Sequence, residues 1–269
     1  MKPPMPYYGG KQRIAEKITA IFPSHRHYVE PFCGGLSVFL AKPPAETETL
    51  NDLDSELVTF WRVLRDRPEE LIRAALLTPH ARAELEHARG PIDDLDDLEI
   101  ARRVWVQLTQ GRAGRRSPTG WRYYVHAERW SGMDTYLGGY TARMPDAAAR
   151  LAGVQLECRP ALDVIERYGR EPEALLYVDP PYLGSTRTRL HYVHEMASEA
   201  EHAELAEALR ASTASIVLSG YRSPLYDQLY SDWNVTEIAA YTQRPGTERT
   251  EVLWCNFEPN QTLFNLTSA

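Results

Sequence analysis

The sequence predicts an α/β protein, an open and largely parallel sheet whose chain is interrupted by a mainly helical insertion. Near both ends of the chain, short apolar runs bounded by turn residues alternate with helical periodicities, the rhythm of a sheet covered by helices. Between them, roughly from Pro68 to Pro145, that rhythm gives way to consecutive helical stretches and a Gly/Arg/Ser/Pro segment. The 269 residues suit one principal domain built from 1–60 and 150–269, with an insertion over 61–149.

Taken in order, Ile14, Ile18 and Ile21 recur at helical spacing between Lys11 and Phe22, and Pro23 ends that helix. Tyr28-Val29-Glu30 reads as a short strand running into Pro31-Phe32-Cys33-Gly34-Gly35, and Leu36 to Ala41 as the start of a helix. Thr47 to Leu50 is a second strand, ending at Asn51-Asp52, and Asp54 is placed to cap a helix over Ser55 to Arg65. Helices are expected over Glu69–Leu77, Ala81–Arg89 and Leu98–Gln110, followed by a loop from Gly111 to Gly120 and the run Trp121-Arg122-Tyr123-Tyr124.

The α/β rhythm then returns with a strand over Val154–Glu157 and a helix over Ala161–Tyr168. Ala174 to Val178 is nearly continuous and apolar, the type of strand buried on both faces of a parallel sheet. Glu199–Arg210 is an amphipathic helix and Ser215–Ser219 another buried strand; Asn234–Ala239 and Glu251–Phe257 are expected to pair as a closing antiparallel ribbon.

Composition bounds the function. With 43% hydrophobic and 25% charged residues the chain is an ordinary globular protein, and no apolar run approaches the roughly 20 residues that cross a bilayer. The start, MKPPMPYYGGK, lacks the apolar core of a signal peptide, so a cytoplasmic protein without a membrane partner is expected; it is also expected to be a monomer in solution. Cys33, Cys158 and Cys255 lie far apart and form no C-x-x-C pair, so neither a disulfide framework nor a metal site is expected. The net charge of −7 argues against nucleic acid, yet the charge is segregated. Residues 81–99 are strongly acidic, whereas Ala101 to Arg129 holds Arg102, Arg103, Arg112, Arg115, Arg116, Arg122 and Arg129 against Glu128 alone.

The strongest chemical signal is Asp179-Pro180-Pro181-Tyr182, directly after the apolar strand. Ligands of open α/β sheets sit beyond the carboxyl ends of the strands. Two prolines fix the turn and remove two donors, leaving carbonyls free to accept. A carboxylate and a carbonyl accepting from both N–H groups of an aromatic amine, such as N6 of adenine, would favour a tetrahedral nitrogen. Its lone pair would then leave conjugation, with Tyr182 stacked on the base. An Asp179 of ordinary pKa, about 3.9, would serve without tuning. The glycine turn after Glu30 lets a cofactor approach the backbone, and Asp52 is placed to hold the two ribose hydroxyls of a nucleoside. The same geometry serves nicotinamide cofactors, although no G-x-G-x-x-G is present.

In this order Tyr7-Tyr8-Gly9-Gly10-Lys11, Glu30-Pro31-Phe32-Cys33-Gly34, Asn51-Asp52 and Asp179-Pro180-Pro181-Tyr182 resemble the motifs of the D12-class, Dam-like family of DNA adenine methyltransferases. Glu251 to Asn256 resembles its C-terminal strand. One departure is Leu36, where the family usually carries a second glycine. The resemblance implies a Rossmann-like S-adenosylmethionine-dependent methyltransferase fold. Tyr7, Lys11, Asp52 and Asp179 would contact S-adenosylmethionine, Glu30, Pro31, Phe32 and Gly34 would form the cofactor turn, and Asp163 would lie in the motif between cofactor and catalytic loop.

The resemblance further implies catalysis by Asp179, Pro180, Pro181 and Tyr182 on an adenine flipped from a short double-stranded DNA sequence, in a nucleoid-associated enzyme of the restriction–modification type. The insertion occupies the place of the family's DNA reader, so Arg112, Arg115, Arg116 and Arg122 are the expected DNA contacts, with Trp121, Tyr123 and Tyr124 packing or wedging nearby. The alternatives are an N4-cytosine methyltransferase and a DNA-binding protein whose cofactor turn is weakened by Leu36.

Overall fold

The computed structural model describes residues 1–124, 132–183, 196, 198–241 and 248–259. One sheet contains β1 (His27–Glu30), β2 (Thr47–Asn51), β3 (Gln155–Glu157), β4 (Ala174–Val178), β5 (Ser215–Gly220), β6 (Asn234–Tyr241) and β7 (Glu248–Cys255). Their spatial order is β3-β2-β1-β4-β5-β7-β6. The strands from β3 to β5 in that order pair in parallel, and β7 lies antiparallel between β5 and β6, as the expected closing ribbon. The strand order reverses between β1 and β4. At such a switch point the crossovers diverge and leave a crevice at the carboxyl ends, which opens here beside Glu30 and Asp179.

The helices are α1 (Ala15–Ala20), α2 (Ser55–Asp66), α3 (Pro68–Leu77), α4 (Arg82–His87), α5 (Asp97–Gln110), α6 (Met133–Thr141), α7 (Met144–Leu151), α8 (Ala161–Tyr168), α9 (Glu199–Arg210) and α10 (Pro224–Leu229). Asp54 caps α2 by accepting from the Leu57 N–H, and Ser198 with Glu201 forms a capping box on α9. Strand alternation sends neighbouring residues to opposite faces. Tyr28, Leu50 and Leu175 join Phe60 and Trp61 of α2 in one core, while Val29, Leu176 and Ile216 join Val164 of α8 and Leu205 of α9 in the other. The first core runs on without a break through Leu71, Leu85, Trp105 and Met144, so the helical stretch rests on the sheet through α2. The expected boundaries near 60 and 150 fall inside α2 and α7.

Several local features differ from expectation, among them α7 and α10, which are not among the expected helices. Helix α1 begins only at Ala15, and residues 12–14 form a turn. Leu36 to Ala41 forms successive turns instead of a helix, because Leu36 takes a left-handed backbone with φ +56°. That conformation costs a non-glycine residue about 1–2 kcal/mol, and the fully buried Leu36 side chain holds it in place. Helix α6 escapes the sequence pattern because it contains Gly138-Gly139, poor helix formers that rely on packing.

Trp61 is fully buried, and its indole N–H donates to the Gly34 carbonyl at 3.0 Å. Trp61→Ala is expected to lower the unfolding free energy by about 3–5 kcal/mol, read from denaturant midpoints at constant m-value.

Candidate active site

Two cavities meet at the carboxyl ends of β1 and β4. The smaller, about 300 Å³, is walled by Glu30 to Gly35, Asn51 to Asp54, Arg159 to Leu162, Asp179 and Pro181. The larger, about 810 Å³, is lined by Tyr182, Tyr221 and Glu251 on the sheet side and by Arg112, Arg122, Tyr123, Tyr124, Tyr136 and Tyr140 on the insertion side. Tyr7 to Lys11 and Ser37 form part of both walls.

The turn after β1 is shaped by close packing. Gly34 has φ +46°, and a Cβ there would come within 2.8 Å of the Tyr7 ring; one on Gly35 would meet Tyr7 Cβ at 2.5 Å. Only glycines let Tyr7 lie against this turn. The Gly34 N–H donates to Asp52 at 2.9 Å, and the Asp54 N–H donates to the other Asp52 oxygen at 3.0 Å, which fixes that carboxylate at the cavity wall. Asn51 donates to the carbonyls of Pro31 and Arg159 and so ties three lining segments together. Leu36 preserves this turn by adopting the conformation a glycine would take, so the departure from the family pattern leaves the wall of the smaller cavity formed.

Glu30 is buried at the end of β1 and accepts from the Tyr28 hydroxyl at 2.7 Å. Burial pushes its carboxyl up to about 8, against the opposing pull of that hydrogen bond, so it is largely protonated at neutral pH.

Lys11 joins the two cavities. Only 6% exposed, its ammonium donates to both oxygens of Asp179 at 2.8 and 2.7 Å, to the Tyr182 hydroxyl, and to the Gly9 carbonyl at 3.2 Å. Glu251 lies 3.5 Å from the same ammonium and accepts from the hydroxyls of Tyr182 at 2.8 Å and Ser219 at 2.7 Å. The Tyr182 ring packs on Tyr221 with centroids 4.5 Å apart. Contrary to the expectation of an unperturbed carboxylate, burial pushes Asp179 up to about 6, although Lys11 pulls it down; Glu251 adds to the rise. The carboxylate is still mostly ionised at neutral pH.

The remaining expected residues divide. Pro180 is buried beneath the turn and is not among the lining residues. Asp163 sits on the exposed side of the first turn of α8, away from the cavity that neighbouring Ala161 and Leu162 line. Arg112 and Arg122 line the larger cavity, with Arg112 set over Tyr123 and Arg122 over Tyr136. Arg115 covers the Tyr8 ring at 4.2 Å. Arg116 turns inward, its side chain only 7% exposed, and pairs with Asp54 at 2.9 Å and Glu56 at 2.5 Å. The two carboxylates at the start of α2 claim it, so it ties the loop to the wall of the smaller cavity where a DNA contact was expected. Trp121 packs between His80 and Tyr123, while Tyr123 and Tyr124 are exposed. Arg129 and Glu128 lie outside the described residues. Sequence reasoning missed Glu251, Tyr221, Tyr136 and Tyr140. Glu251 alone had a signal, as the first residue of the matched C-terminal strand segment.

A switch-point cavity with a glycine turn and an acidic residue after the second strand, opening onto an Asp-Pro-Pro-Tyr turn, defines a Rossmann-like methyltransferase. The family model of the D12 class N6 adenine-specific DNA methyltransferases matches residues 7–89 and 141–243, leaving out most of the helical and arginine-rich stretch between them. The chain therefore belongs to the D12 class of N6 adenine-specific DNA methyltransferases, which decides for adenine over cytosine as the base. A type II methyltransferase, M1.LlaDCHI of Lactococcus lactis subsp. cremoris, is 26% identical over 89% of this chain and 88% of its own length. The DNA adenine methylase of Vibrio cholerae serotype O1 is 23% identical over 91% of each chain, and that of Escherichia coli strain K12 24% over 82% and 81%. Among the described residues no helix is long and apolar enough to cross a membrane, and no group of His, Cys, Asp or Glu is arranged to hold a metal ion.

Folding takes up a proton at Glu30, whose carboxyl moves from 4.5 to about 8, so this residue makes stability fall as pH rises between those values. Glu30→Gln is expected to flatten that part of a stability–pH profile measured by denaturant titration.

Proposed function

We propose that this chain moves the methyl group of S-adenosylmethionine to N6 of an adenine rotated out of double-stranded DNA. In this reading the smaller cavity holds the donor and the larger admits the base. The observation that carries it is the meeting of the two cavities at Lys11, whose ammonium holds the Asp179 carboxylate at the wall of the smaller one and the Tyr182 hydroxyl at the wall of the larger. The wall chemistry suits the donor, with the fixed Asp52 carboxylate for ribose hydroxyls and Phe32, Pro160 and Leu162 for a flat base. When bound, the donor supplies an electrophilic methyl group on a sulfonium.

The protein's part is to make the amine nucleophilic. Asp179 accepts from one N6–H, with the Pro180 carbonyl as the expected second acceptor, and Tyr182, packed on Tyr221, offers its ring to the base. As N6 takes the methyl group that the bound donor would supply, the proton leaving N6 would pass to Asp179, the base in contact with it. Lys11 holds the Asp179 carboxylate in its ionised state and in one orientation.

Extruding the base costs a few kcal/mol. Arg112 and Arg122, with the exposed Tyr123 and Tyr124 beside them, form the DNA-facing rim of the larger cavity and supply contacts to offset that cost. The name of the lactococcal relative, a type II methyltransferase, supports a place in restriction–modification.

Asp179→Ala is expected to lower methyl transfer to adenine-containing duplex about 10²–10³-fold while leaving DNA affinity within severalfold, measured by tritium transfer and by anisotropy. Turnover near that of the unaltered chain would remove Asp179 from the reaction. Arg112→Ala with Arg122→Ala is expected to weaken DNA binding and to reduce the slope of log affinity against log salt by about 0.9 for each phosphate no longer neutralised. An unchanged slope would place the DNA-reading surface elsewhere.

A further inference from the structure

The charges at the junction of the cavities do not balance in pairs. One buried ammonium, Lys11, faces two carboxylates, Asp179 at 2.7 Å and Glu251 at 3.5 Å. Asp179 follows β4, whereas Glu251 comes from β7 and is only 3% exposed. An unpaired buried carboxylate is costly, and Glu251 is partnered by the Lys11 ammonium and by the hydroxyls of Tyr182 and Ser219, both donated to the same oxygen. Core packing alone would be served as well by an apolar residue at this position. Glu251 instead reaches the larger cavity and holds the hydroxyl of the one tyrosine in the Asp-Pro-Pro-Tyr turn.

We infer that Glu251 is a positioning residue for methyl transfer. It anchors Tyr182 by its hydroxyl and divides the charge of Lys11 with Asp179, leaving the Asp179 carboxylate able to accept from the amine. This rests on the proposed role of Asp179. An Asp179 paired with Lys11 alone would be fully neutralised and a weak acceptor, because a hydrogen-bond acceptor loses basicity as a neighbouring cation takes its electron density. A second negative charge facing the same cation restores that basicity. The anchor on Tyr182 acts together with the Tyr221 ring, so the aromatic side of the base site is held at its rim and at its face. The groups facing Asp179 are Lys11 and Tyr182 in direct contact and Glu251, with Tyr177 and Glu30 behind.

The test is steady-state methylation of a duplex substrate by Glu251→Gln, which keeps the shape and the acceptor oxygen but removes the charge. The expected result is a kcat about ten- to hundredfold lower with KM for DNA within about twofold. Because Glu251 helps hold the Asp179 carboxyl up, the acid limb of the kcat–pH profile is expected to move to lower pH. A kcat within twofold of the unaltered chain, or a lowered kcat with no movement of the limb, would overturn the inference while leaving methyl transfer itself intact. Absence of methylation by the unaltered chain would instead defeat the underlying reading.

Should Glu251→Gln not fold, Glu251→Asp, which keeps the charge but shortens the reach to Tyr182, is compared with Tyr182→Phe. If Glu251 acts through that hydroxyl, the double variant has a kcat little below that of Tyr182→Phe alone. Fully additive effects would overturn the proposal.

Discussion

Lys11 is held by groups drawn from three separate parts of the chain. Its ammonium is buried against two carboxylates and a phenol, and burying any one of these charges without the others would cost several kcal/mol. The arrangement is satisfied only when the N-terminal segment, the turn after β4 and strand β7 come together. The ion pair therefore closes the sheet's switch point as well as equipping it. Asp179 lies 168 positions from Lys11, so the site exists only in the folded chain.

Around that pair, backbone shape is set by packing. The Tyr7 ring occupies the space that side chains at positions 34 and 35 would need, and the Trp61 indole binds the Gly34 carbonyl from the other side. Asp52 accepts from two backbone N–H groups and is oriented before any ligand arrives. Leu36 takes a left-handed backbone in the midst of this, and its buried side chain contributes the packing that offsets the strain. A site assembled in this way is preorganised: the groups that would meet a nucleoside are already held by the protein.

The arginine-rich loop is tied to the same site. Its Gly114 carbonyl accepts from the Tyr8 N–H at 2.8 Å, and a side chain at 114 would strike Pro6, so loop and N-terminal motif share one backbone contact. Arg116 adds a buried ion pair to Asp54, which caps α2 and lines the smaller cavity. Of the clustered arginines, one is spent on this attachment and two face the larger cavity. An acidic protein thus gathers cations at the mouth of one cavity, despite its net charge of −7.

By itself the sequence determined the strands, because β4 and β5 are apolar runs whose burial follows from hydrophobicity, and the α2 cap, because Asp54 needs only its neighbours three residues on. It also determined the order of the motifs and the Asp-Pro-Pro-Tyr turn, whose stiffness is a property of proline. These are local consequences of residue type. Only the tertiary structure decided that Glu251 faces Lys11, that Arg116 points inward, that Asp163 stays on the outside of α8, and that Asp179 and Glu30 hold protons more tightly than free carboxylates. Those outcomes depend on burial and on charges contributed by residues distant in sequence. Composition and spacing carry no record of which distant residues become neighbours.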